Sequence, residues 1–156
     1  MQPKYKFGRS QKGSIMNHRL SPTDREFRKE FEACKFPPAE FSHRAHVRLA
    51  YVYLTEHDTD AAHQLMQNAL LNFLRYHGID VSKYHETMTR AWIMAVRHFM
   101  EISPDSESSE TFIDNNPKML DSKIMMTHYS AELLFSDEAR ARFVEPNLSP
   151  IPRYGS

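Results

Sequence analysis

The chain has 156 residues, 40% apolar and 26% charged, with a formal net charge of +0, the profile of one soluble domain long enough to bury a core. Zero net charge gives no long-range field toward nucleic acid or an anionic membrane, and no apolar run approaches the roughly 18 residues that span a bilayer. One cysteine, Cys34, excludes an internal disulfide and fits a reducing, cytoplasmic setting.

Residues 1–20 carry Lys4, Lys6, Arg9, Lys12, His18 and Arg19 with little periodicity. They read as a flexible basic arm without the apolar core of a secretory signal. A single helical domain is expected over residues 21–154, with Gly155-Ser156 read as an expression remnant. The first helix opens on Ser21-Pro22, a cap hydroxyl followed by proline at the first helical position. Its stripe is Phe27, Phe31 and Cys34, and Pro37-Pro38 should stop it. Cys34, at the end of that stripe, reads as an inert buried thiol.

Ser42 caps a second helix running to about Glu56, with His46, Leu49, Ala50 and Tyr53 on one face and His43 a turn earlier. Asp58 opens a third, whose broad face of Ala62, Leu65, Met66, Ala69, Leu70, Phe73 and Leu74 ends at Gly78. Ser82 is expected to cap a fourth over about residues 83–101, with His85, Met88, Thr89, Trp92, Val96 and Phe99 as its seam. A polar loop with a helical turn at 111–115 precedes a helix from Pro117 to His128, and Ser130 and Ser136 cap two short helices. The prolines at 146, 150 and 152 impose an extended tail laid across the bundle. No alternating β-type segment occurs, so the fold class is all-α: a compact bundle of about four main helices, short C-terminal helices and an extended tail.

Short connections make successive helices antiparallel, so the second and fourth should start at the same end. That end gathers His43, His46 and His85, with His77 closing the third helix and His128 arriving from the 117–128 helix. Their expected role is a polar floor, with the helix N-termini holding the imidazoles neutral. His46, His85 and His128 are the candidate ligands of a divalent metal, Zn, Fe, Mn or Ni. His43 or Glu86 would be the fourth ligand or general base, and Tyr84, Tyr129 and Arg90 would orient a substrate. The competing account of Glu86 is a surface pair with Arg90 at i, i+4. His57 and His98 suit helix C-termini at the far end; His63, off the main face, and His18 need no function. His-Glu-x-x-His, phosphate-loop and Gly-x-Ser-x-Gly patterns are absent.

Phe41-x-His43-x-x-His46, Tyr84-His85-Glu86-Thr87-x-Thr89-Arg90-x-Trp92, His128-Tyr129-Ser130 and Phe143-Val144-Glu145-Pro146-x-Leu148-x-Pro150 form a pattern that resembles a group of small uncharacterised bacterial all-α proteins. The resemblance covers about residues 25–152 and implies a self-contained unit without naming a reaction. The expected function is a small metal-dependent enzyme acting on a small, anionic molecule. The alternatives are a metal-free acid–base enzyme using His85 and Glu86, or a non-catalytic binding or regulatory module. No nucleic-acid or membrane partner is expected, and a homo-oligomer is compatible with the pattern.

Overall fold

The computed structural model describes residues 17–154; most of the basic arm and Gly155-Ser156 lie outside them. Helix α1 spans Pro22–Glu32, α2 His43–Leu54, α3 Thr59–Tyr76, α4 Glu86–Ile102, α5 Ser109–Asn115, α6 Ala131–Leu134 and α7 Asp137–Ala141. The described residues hold no strand beyond an isolated bridge between His18 and Ser106. The fold is the all-α bundle read from the sequence.

The caps follow the hydroxyl and carboxylate chemistry that satisfies orphan N–H groups at helix starts. Ser21 and Asp24 form a reciprocal capping box on α1, Ser42 accepts from the Ala45 N–H on α2, and Asp58 accepts from Ala61 on α3. Gly78 closes α3 at φ +67°. Cys34 does the same after α1 at φ +61°, a position where a side chain is strained and glycine is the usual occupant. The Lys35 N–H reaches back to the Glu30 carbonyl at 2.8 Å, so the backbone closes α1 before Pro37-Pro38 can stop it. The Cys34 thiol is buried and donates weakly to the Asn72 carbonyl at 3.7 Å, as expected of an inert sulfur.

Helix α4 is the central rod. Every residue from Ala91 to Arg97 is buried, and it packs against both α2 and α3. A helix enclosed on nearly all sides needs apolar residues around its circumference, which Ala91, Trp92, Ile93, Met94, Ala95 and Val96 supply. Phe31 and Phe73 stack between α1 and α3 with centroids 4.5 Å apart, and Phe41 joins them from the α1–α2 loop at 5.0 Å from Phe31.

Three expectations change. Ser82 does not cap α4: Val81–Lys83 is a separate 3-10 turn, and His85 is the cap residue. The segment from Pro117 to His128 is two 3-10 turns, Pro117–Leu120 and Ser122–Thr127, broken at Asp121. Of the arm, residues 17–20 are held in place. His18 and Leu20 are buried, with His18 bonded to the Ser106 hydroxyl and the Met100 carbonyl at 2.7 Å each.

Asp24, 1% exposed, is the joint between α1, α2 and α5. It accepts from the Ser109 hydroxyl and backbone at 2.5 and 2.8 Å and from Arg48 at 3.1 Å. Desolvation raises its pKa, but these hydrogen bonds and the Ser21 N–H outweigh it and hold the carboxyl below its ordinary value.

Candidate active site: an imidazole cleft and a half-buried carboxylate

The first turns of α2 and α4 do meet, and an open cleft of roughly 390 Å³ lies between them. Phe41, Ser42, His43 and His46 come from the α2 start, Met88 and Trp92 from α4, Lys123 and Met126 from the second 3-10 turn, and Leu134 and Phe135 from α6. Aromatic and thioether walls with a few polar groups are the usual makeup of a small-molecule site. Its polar side chains are the two imidazoles, two serines and Lys123.

His43 stands 4.6 Å from Trp92, ring centre to ring centre, and its Nε2 donates to the Met119 carbonyl at 2.9 Å. That bond fixes the tautomer and leaves Nδ1 with a lone pair. His46 lies 6.5 Å from His43 with nearly parallel rings. No group among the described residues hydrogen-bonds its imidazole. Its pKa is pushed down to about 4, first by desolvation and second by the His43 ring, so it is neutral at pH 7.

His85 is bonded through both nitrogens. Its Nδ1 accepts from the Met88 N–H at 3.1 Å as the cap of α4, and its Nε2 donates to the Leu134 carbonyl at 2.7 Å, tying α4 to α6. Its pKa is lowered chiefly by burial, with Arg140 adding to the effect and the Leu134 bond opposing it. Burial is the chief cause that keeps His46 and His85 neutral, and at His85 the α4 N-terminus adds to it, because Nδ1 accepts from the Met88 N–H. His128 is half-buried and spends Nδ1 on the Ser149 carbonyl at 2.8 Å, pinning the tail. His77 reaches the group only through intervening rings: it packs on Phe73 at 4.6 Å, and Phe73 on Phe41 at 5.8 Å.

Five converging histidines thus resolve into one pair in the cleft and three structural ones. The sequence-based ligand set of His46, His85 and His128 is not brought to a common point. Among the described residues no three His, Cys, Asp or Glu side chains are grouped to hold a metal. For His85 the physical reason is competition, because backbone groups at a chain junction claim both its nitrogens; His128 spends Nδ1 alone on the Ser149 carbonyl.

Glu86, Tyr84 and Arg90 do come together, away from the cleft and against α3. The Tyr84 hydroxyl donates to Glu86 at 2.5 Å, and Gln67 adds a bond at 3.3 Å. Burial and the Glu86 charge both raise the Tyr84 pKa, so the phenol stays protonated. Arg90 does not pair with Glu86 at i, i+4. It binds Asp60 at 2.9 Å and His63 Nδ1 at 3.3 Å. His63 Nε2 then lies 3.0 Å from Glu86 but off the line of a hydrogen bond.

His63, which has no function assigned from its position off the main face of α3, is therefore the link in this array. Its signal was present: His63 and Gln67 are four apart and flank the apolar stripe of α3, where they face a partner helix. Lys123 carried no such signal, since only the 3-10 turn brings it to the cleft. Tyr129 is fully buried and donates to the Val144 carbonyl at 2.7 Å; burial and the Glu145 charge push its pKa up to about 12. It is a tail anchor.

No helix among the described residues is long and apolar enough to cross a membrane. Comparisons with protein-family models, curated proteins and solved structures find no match.

Proposed function

We propose that the protein is a small-molecule enzyme of the acid–base type, working in the cleft at the starts of α2 and α4. His46 is the proton acceptor. Lys123 holds an anionic group of the substrate, and Phe41, Met88, Trp92 and Phe135 enclose its apolar part. The observation that carries this reading is His46, a neutral imidazole in a hydrophobic cleft with no hydrogen-bond partner among the described residues. His43, His85 and His128 each spend a nitrogen on a backbone carbonyl.

A free imidazole with a pKa near 4 is a weak base at neutral pH. A carboxylate bound within a few ångströms favours the imidazolium and raises that pKa toward the working range. His46 thus gains basicity when an acidic substrate is in place. A divalent metal would meet the His43–His46 pair rather than the three ligands read from the sequence, so no step is assigned to one.

The test is calorimetric titration of the protein with phenylacetate and indole-3-acetate, with and without added Zn, Mn, Ni or ferrous iron. The expected result is saturable binding that needs no metal and weakens about tenfold or more in Lys123→Gln, a loss of about 1.4 kcal/mol. Binding that requires metal would favour the metal-dependent enzyme. Absence of binding to either acid would contradict the acidic-substrate reading.

A further inference from the structure

A second cavity lies between the α3 start, α4 and the C-terminal tail. It encloses about 70 Å³, room for on the order of five waters. Three guanidinium groups, Arg90 and Arg97 from α4 and Arg153 from the tail, line it together with Thr59 and Tyr154. Thr59 is the first residue of α3, whose N-terminal partial positive charge is already met by the Asp58 cap and by Asp60 in the first turn, so the guanidinium groups are the donors that face the cavity.

Three like charges around so small a space repel one another unless something negative lies among them. Each is instead offset by its own carboxylate: Arg90 by Asp60 at 2.9 Å, Arg97 by Glu101 at 2.8 Å and Arg153 by Glu145 at 2.5 Å. Two of these carboxylates are mostly hydrated, Asp60 at 57% and Glu145 at 69% exposure, and pairs of that kind are weak. A guanidinium carries five donors in a planar fork, so each retains N–H groups beyond those spent on its carboxylate. The Arg97 guanidinium lies 5.6 Å from the centre of the Tyr154 ring, and the Tyr154 hydroxyl is 2.8 Å from His98 Nδ1. The wall of the cavity is therefore fixed on the α4 side.

We propose that this cavity binds a tetrahedral oxyanion of phosphate or sulfate size, either free or as the terminus of a small monoester. The remaining guanidinium N–H groups donate to its oxygens. Arg153, half-exposed and on the tail, gives the site its adjustable side. The site is separate from the imidazole cleft, which neither Arg97 nor Arg153 lines, so its occupancy can be tested without reference to catalysis.

The experiment titrates the full chain with inorganic phosphate and, separately, with glycerol 3-phosphate at constant ionic strength, following heat and melting temperature. The wild type and Arg28→Gln, an arginine outside the cavity, are expected to bind saturably and alike. Arg153→Gln, a half-exposed side chain whose loss leaves the core intact, should bind at least about tenfold more weakly. Binding of phosphate alone identifies a free-anion site, and binding of both extends the site to monoesters. Absence of saturable binding by the wild type, or equal binding by Arg153→Gln, overturns the proposal.

Discussion

Two histidines of the same helical bundle, His46 and His85, are kept neutral by burial but serve opposite ends. Both ring nitrogens of His85 are consumed by the backbone, so its removal is a structural loss. His85→Ala should forfeit the α4 cap, worth about 0.5–2 kcal/mol, and leave the buried Leu134 carbonyl without its donor at about 1–3 kcal/mol more. Denaturant melts should show that loss with metal content unchanged. A variant that instead keeps its stability and loses a bound metal would restore the ligand role. His46 acts on the pH dependence of stability. The unfolded chain protonates it near 6.5 and the folded chain only near 4. Its contribution is therefore full above about 6.5 and disappears as pH falls to about 4. His85 is lowered too and adds in the same direction. Within that window the stability of the wild type should fall more steeply than that of His46→Gln, by up to about 1.4 kcal/mol per pH unit. Parallel curves would mean that His46 titrates as an ordinary exposed histidine.

At the scale of elements, most helix boundaries were legible because their caps are local chemistry. Ser21, Ser42, Asp58, Ser130 and Ser136 each accept from a backbone N–H three residues on. The start of α4 was misread because Ser82 looks like the better cap, and a histidine side chain rarely competes for that position. Its tertiary bond to Leu134 decides the matter, and no local pattern contains it. The 117–128 segment was misread for a related reason. Leu120, Ile124 and His128 keep a four-residue spacing, yet Asp121 accepts from the Lys123 N–H and restarts the chain as a second 3-10 turn. Of the expected α4 seam, Thr89, Trp92 and Val96 are buried but Met88 and Phe99 only half-buried, because α4 is enclosed all round from Ala91 to Arg97. Trp92 is 2% exposed. Trp92→Ala should destabilise the fold by about 3–5 kcal/mol and remove the wall against which His43 stands. A loss within about 0.5 kcal/mol would mean that the packing around α4 has been misjudged.

For the molecule as a whole, antiparallel connection was enough to bring the α2 and α4 starts to one end, and the cleft is there. Chain direction cannot tell which side chains remain free once they arrive. That depends on which backbone groups lack partners nearby, and those groups come from the tail, α6 and the 3-10 turns. Among the described residues His46, His85 and His128 are not grouped as a ligand set, while the His43–His46 pair, three apart on one helix, shares the cleft. Nitrogen-15 NMR of the histidine rings reports on the His43–His46 pair in the cleft. His46 is expected to remain neutral on lowering the pH until about 4, and saturating phenylacetate should move its midpoint upward by about one unit. A midpoint near 6.5 in the free protein, or one that phenylacetate leaves in place, would mean that His46 is not the desolvated proton acceptor of the cleft.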